Sequence, residues 1–192
     1  MSAPEYTISI HELARRAGAG KDMVLDLPAP ADMGTEVIGV PEGSPLHLDL
    51  RVESASDGVY VSGSVTGELE GQCVRCLDPI REELDMTVAE LYLFPESLAR
   101  AEEDGDEEAA EMLTTDGETL DLEPMVRDTV VTELPFQPLC RADCPGLCPE
   151  CGIRMEDAEE GHGHEVIDPR FAALAGLLAE VDVEGEDEES GQ

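Results

Sequence analysis

Between residues 46 and 94, apolar and polar positions alternate with the period of a β-strand. Leu46, Leu48, Leu50 and Val52 are interleaved with His47, Asp49 and Arg51, so one face is apolar and the other polar. Ser56-Asp57-Gly58 supplies a tight turn. Val59, Val61, Gly63, Val65 and Gly67 then share one face of a returning strand, which Leu69 extends. Ile80, Leu84, Met86 and Val88 mark a third strand. The pattern predicts an antiparallel meander whose second hairpin carries Cys73 and Cys76 at its tip. Over 119–134 the period changes. Leu122, Met125, Val126, Val130 and Leu134 recur at spacings of three and four, which predicts a helix capped by Asp121 and ended by Pro135. A shorter helix is expected over 168–178, where Asp168-Pro169 starts a stripe of Phe171, Leu174, Ala175 and Leu178.

The remaining segments are plainer. Residues 1–45 read as a short strand carrying Tyr6, Ile8 and Ile10, a helical turn over 13–17, and an extended piece over 23–27. The run 95–118 is acidic: from Ala101 to Glu111 it holds seven acids and no base, and it reads as a solvated loop. Residues 119–178 continue the domain with the helix, a cysteine-rich loop and the last helix, and 179–192 form an acidic, disordered tail. The fold class expected is α+β: an antiparallel β-sheet with a few packed helices and a cysteine-rich zinc-knuckle element.

Charge narrows the function. The 192 residues carry 11 Lys and Arg against 46 Asp and Glu, a net charge of −35. Such a chain repels phosphate backbones, so tight direct binding to nucleic acid is not expected, and a basic partner is. There is no apolar stretch long enough to span a membrane, and residues 1–10 lack the basic and apolar regions of a secretory signal. The compartment this implies is the cytoplasm. No Walker or dinucleotide glycine loop, Gly-x-Ser-x-Gly or His-Glu-x-x-His is present, and no catalytic residue stands out.

The chemistry lies in six cysteines: Cys73, Cys76, Cys140, Cys144, Cys148 and Cys151. In a reducing cytosol, grouped cysteines read as metal ligands rather than disulfides. Cys73-Val-Arg-Cys76 and Cys148-Pro-Glu-Cys151 are C-x2-C pairs, each able to aim two sulfurs at one ion, and four thiolates suit Zn2+. Three arrangements are open: the last four cysteines alone, the two C-x2-C pairs together, or Cys73 and Cys76 with Cys140 and Cys144. A site fed by Cys73, Cys76 and two of the later four is preferred, because a single twelve-residue run wraps an ion awkwardly. Spacing alone favours the two C-x2-C pairs. Ordinary buried thiols, a redox C-x2-C pair at Cys73 and Cys76, and an iron–sulfur cluster are the alternatives. Arg75, Arg81, Arg141 and Arg154 lie near the cysteines and could offset the negative charge of a four-thiolate zinc site. His162 and His164, set among glycines, read as a free surface loop, with metal binding the alternative.

These blocks, taken in order, resemble the YceD family of bacterial and plastid proteins. The resemblance covers about 46–175. It is carried by Val65-Thr66-Gly67, Cys73-Val-Arg-Cys76-Leu77-Asp78-Pro79-Ile80, Leu120-Asp-Leu-Glu-Pro-Met-Val-Arg-Asp128, Leu134-Pro-Phe-Gln-Pro-Leu-Cys140, Cys144-Pro-Gly-Leu-Cys148-Pro-Glu-Cys151-Gly152 and Asp168-Pro-Arg-Phe-Ala-Ala-Leu174. It implies a role in accumulation of 23S rRNA, hence in ribosome assembly. It also implies a basic large-subunit ribosomal protein as partner, since the family's gene often lies beside one. It favours Cys73, Cys76, Cys140 and Cys144 as the shared site, with Cys148 and Cys151 an elaboration. The competing classes are a thiol redox protein, a hydrolase acting on rRNA and a purely structural zinc scaffold.

Overall fold

The computed structural model describes residues 4–13, 18–106 and 108–164. The chain divides into two compact units, Met1–Gly146 and Leu147–Gln192. That boundary falls inside the stretch 119–178 that the sequence reading treats as continuous.

In the first unit the meander forms as the alternation predicts. Strands β4 (Pro45–Ser54), β5 (Gly58–Gln72) and β6 (Pro79–Leu93) pair antiparallel in sequence order. Alternation sorts their side chains. Leu46, Leu48, Leu50 and Val52 of β4, Val59, Val61, Val65 and Leu69 of β5, and Ile80, Leu84, Val88 and Tyr92 of β6 are all buried. The sheet is wider than the sequence shows. Strand β2 (Gly20–Pro28) runs nine residues along β4, from Gly20 opposite Glu53 to Pro28 opposite Pro45, and a two-residue β3 (Ile38–Gly39) pairs with the far end of β5. A separate two-stranded sheet joins β1 (Thr7–Ser9) to β7 (Thr119–Asp121).

Two helices complete the unit. Helix α2 (Glu123–Glu133) lies against β6, and the predicted stripe is its buried side: Leu122, Met125, Val126, Val130 and Leu134 all face the core. Its start differs from the expectation. Thr119–Asp121 is strand rather than helix. Pro124 occupies the first turn, and the Asp121 carboxylate accepts a hydrogen bond from the Glu123 amide at 3.0 Å. Helix α1 (Pro95–Glu103) corrects the reading of 95–118 as a plain loop. Pro95 presets the first turn, Glu96 complements the amino-terminal dipole, and Leu, Ala and Arg are good helix formers. This helix buries no residue fully, but Ser97 and Leu98 are half-buried and Arg100 lies 3.9 Å from Asp57.

The expected turn over 13–17 falls largely on residues 14–17, outside the described residues. The helix over 168–178 and the acidic tail lie outside them too. Among the described residues no helix is long and apolar enough to cross a membrane.

Candidate metal centre

The six-residue turn 73–78 joins β5 to β6, which puts Cys73 and Cys76 at the end of the longest hairpin of the sheet. Its backbone is specific. The Cys73 amide donates to the Asp78 carbonyl at 2.8 Å, and the Leu77 amide donates to the Cys73 carbonyl at 2.9 Å. Leu77 must turn left-handed to do this, at φ 63°. The position suits glycine, because a side chain there crowds its own carbonyl at a cost of about 1–2 kcal/mol. Leu77 is largely exposed, so little packing is lost by removing it. Leu77→Gly is therefore expected to leave stability unchanged or raise it by up to about 1 kcal/mol in urea unfolding, the relieved strain outweighing the added chain entropy. A loss above about 1 kcal/mol would show that the leucine side chain supports the turn.

The loop after α2 reaches this turn. The Val74 amide donates to the Pro138 carbonyl at 3.0 Å, and the Arg75 guanidinium donates to the Cys144 carbonyl at 2.9 Å. These bonds deliver Cys140 and Cys144 to the hairpin tip. Cys73 Sγ lies 3.8 Å from Cys144 Sγ, and Cys76 Sγ 3.6 Å from Cys140 Sγ. All four sulfurs lie within 4.8 Å of one another. A disulfide would bring two sulfurs to about 2.05 Å, and all six cysteines are free. Four thiolates about 2.3 Å from one tetrahedral ion would sit about 3.8 Å apart, close to the 3.8 and 3.6 Å of these two pairs. Of the open arrangements, this is the grouping the structure forms.

Electrostatics at the cluster are uneven. Burial pushes the Cys73 thiol up, but the backbone amides of Cys140, Cys76 and Arg75 outweigh it and bring it down to about 6. The Asp78 amide favours the Cys76 thiolate, yet burial and the sulfurs of Cys73, Cys140 and Cys144 push that thiol up to about 12. Cys140 accepts help from Cys76 but is raised overall by burial and by Cys144 and Cys73. Without a cation, then, Cys73 favours its thiolate while Cys76 and Cys140 resist theirs. Of the four arginines, Arg75 bonds within the cluster. Arg81 pairs with Glu70 at 3.1 Å, Arg141 with Asp143 at 3.3 Å and Arg154 with Glu156 at 3.6 Å.

Cys148 and Cys151 do not join the four. They belong to the second unit, where their sulfurs lie within 4.8 Å of ligand nitrogens on His162 and His164. The amides of Cys151 and Glu150, with the His162 ring, bring the Cys148 thiol down to about 6. The sequence favours a free loop for the two histidines, with metal binding the alternative, and the structure groups them with Cys148 and Cys151. The missed signal is a C-x2-C-G turn followed within thirteen residues by His-Gly-His. The single-residue gap between those histidines is unlike the wider spacing usual for zinc ligands on a helix.

Residues 61–178 match the family described as Large ribosomal RNA subunit accumulation protein YceD. The chain belongs to the YceD family. An uncharacterized protein of Mycobacterium tuberculosis is 44% identical over 176 residues, covering 92% of this chain and 83% of the relative. One from Mycobacterium leprae is 42% identical over 170 residues, 88% of this chain and 76% of its own. The uncharacterized protein YlbN of Bacillus subtilis is 26% identical over 140 residues, 72% of this chain and 77% of its own. No solved structure matches the chain. The YceD description names accumulation of a large-subunit ribosomal RNA, not a reaction. Both cysteine groups fall within the matched residues.

Proposed function

We propose that this chain is a non-enzymatic assembly factor of the large ribosomal subunit. In this reading it supports 23S rRNA accumulation in the cytoplasm by holding a basic large-subunit ribosomal protein, and a zinc ion held by Cys73, Cys76, Cys140 and Cys144 ties its hairpin tip to the loop after α2. Family membership carries the rRNA role. The charge of −35 supports the rest: such a surface can stand in for the phosphates that a basic protein later meets on rRNA.

In this reading the contact falls on the sheet. On its polar face Glu68 of β5 stands opposite Glu83 of β6, and Asp85 is next along the strand on that face. Like charges directly opposite cost a sheet about 0.2–1 kcal/mol, a cost that a bound cationic side chain removes. The zinc ion, when bound, supplies cross-linking and charge neutralisation. The chain's own contribution is the pair of turns and amides that hold the sulfurs in place. A redox role for Cys73 fits poorly, since its side chain is fully buried and a thiol that exchanges with substrates has to be reached.

The test is direct binding at physiological salt of the purified chain to basic large-subunit ribosomal proteins and to 23S rRNA fragments. Binding to one such protein is expected, weakening steeply as salt rises, with none to the RNA. The Glu68→Gln, Glu83→Gln chain is expected to bind more weakly while unfolding at higher urea. Tight RNA binding with no protein partner would sink the proposal.

A further inference from the structure

The turn at Cys148 repeats the turn at Cys73 bond for bond. The Cys148 amide donates to the Ile153 carbonyl at 2.8 Å, as Cys73 does to Asp78. The Gly152 amide donates to the Cys148 carbonyl at 2.9 Å, as Leu77 does to Cys73. Gly152 takes the left-handed position at φ 73°, the counterpart of Leu77. Even the flanking pairs agree: Leu147 bridges Arg154 just as Gln72 pairs with Pro79. In both turns two sulfurs three residues apart are presented on the same side of the same backbone frame.

The supports differ. The first turn ends a hairpin of two fifteen-residue strands. The second is closed by one isolated bridge, and residues 147–164 contain no helix or named strand. Its larger apolar side chains do not build a core, since Ile153 and Met155 are exposed. A segment this short with so little buried apolar surface needs a staple to hold one conformation.

What faces Cys148 and Cys151 is a pair of imidazoles. His162 Nε2 lies 3.5 Å from Cys151 Sγ. The His162 and His164 rings stand nearly perpendicular, with centroids 4.8 Å apart. Two thiolates and two imidazoles on one tetrahedral zinc, at about 2.3 Å for sulfur and 2.0–2.1 Å for nitrogen, place sulfur about 3.6 Å from nitrogen. We infer that Cys148, Cys151, His162 and His164 form a second zinc site, separate from the four-cysteine cluster, and that binding this ion orders residues 147–164. Two thiolates and two neutral imidazoles leave such a site uncharged, so it needs no arginine beside it.

The test is the zinc content of the full chain, purified with zinc and freed of loose metal, for the wild type, His162→Ala/His164→Ala and Cys73→Ser. Two zinc ions in the wild type and one in each variant are expected. His162→Cys, which restores a ligand, is expected to keep both ions. With Co2+ in place of zinc, its near-ultraviolet charge-transfer band is expected to grow as a thiolate is added. Trypsin is expected to cut after Arg154 faster in the His162→Ala/His164→Ala chain than in the wild type. A single zinc that the histidine substitutions abolish and Cys73→Ser does not would support this site and sink the first. A zinc content unchanged by the histidine substitutions, or no bound zinc at all, would overturn the inference.

Discussion

The Cys73→Ser chain is expected to melt at least about 10 °C below the wild type and to carry one zinc fewer. The expectation follows from where Cys73 sits. Its sulfur is fully buried, 3.8 Å from that of Cys144, and the amides of Cys140, Cys76 and Arg75 are directed at it. Serine is a far weaker zinc ligand than thiolate, so the ion is lost rather than held by three sulfurs. Zinc binding of this kind adds to folding free energy directly. The rest of the unit has a mainly aliphatic core with two buried tyrosines, Tyr6 and Tyr92, and no tryptophan, and domains of this kind are only marginally stable. For a chain of this length each kcal/mol lost lowers the melting temperature by about 2–4 °C, so losing several produces the fall stated. A strong chelator is expected to lower the wild type to the same temperature and to leave Cys73→Ser little changed at this site. Equal melting temperatures for wild type and Cys73→Ser, with equal zinc, would show that the four sulfurs are packed thiols.

The second large effect is expected at Gly63, far from any cysteine. Gly63 lies in the middle of β5 on the core face, between Leu50 of β4 and Val88 of β6. Its φ is 151°, and a Cβ there would fall 2.0 Å from the Asp49 carbonyl oxygen and 2.9 Å from the Leu50 Cα. Both obstacles are backbone, in a strand held on each side, so neither can swing away. Gly63→Ala is expected to cost about 4 kcal/mol, at the severe end for one substitution, or to leave the chain insoluble. Gly43→Ala is the control. Gly43 also has positive φ, at 77°, but nothing lies within 4 Å of its would-be Cβ, so about 1 kcal/mol is expected. Urea unfolding followed by circular dichroism separates the two. Similar midpoints for both variants would mean that β4 can shift to admit the methyl group.

Much of this architecture is written locally in the chain. Leu46 to Val52 alternate so strictly that only a half-buried strand satisfies them, and the stripe from Leu122 to Leu134 admits only a helix. Where the sequence fell short, the missing information was long-range or too short to carry a period. In β2 the acids Asp22 and Asp26 flank Val24, which is exposed, and only pairing with β4 makes a nine-residue strand of that piece. Thr119–Asp121 is three residues long and exists because β1 lies beside it. The acidic stretch after Phe94 hides a helix because its charge resembles that of a solvated loop, while Pro95 and its helix-forming neighbours start a helix without an apolar stripe. At the cysteines, spacing identified the ligand type but not the partners. Two identical C-x2-C turns invite pairing with each other, whereas Cys140 and Cys144 are brought to Cys73 and Cys76 by hydrogen bonds from the Val74 amide and the Arg75 guanidinium that no spacing encodes.

The reach of the four-cysteine cluster along the chain bears on how the protein is made. Cys73 and Cys144 are 71 residues apart, and Cys76 and Cys140 are 64 apart. A ribosome adding about 5–20 residues per second needs on the order of ten seconds to span that gap. During translation the meander can therefore assemble while its two tip thiols wait for their partners. The nascent chain passes through an interval in which Cys73 and Cys76 are open to oxidants or a passing metal ion. That interval closes only when the loop after the second helix has cleared the exit tunnel.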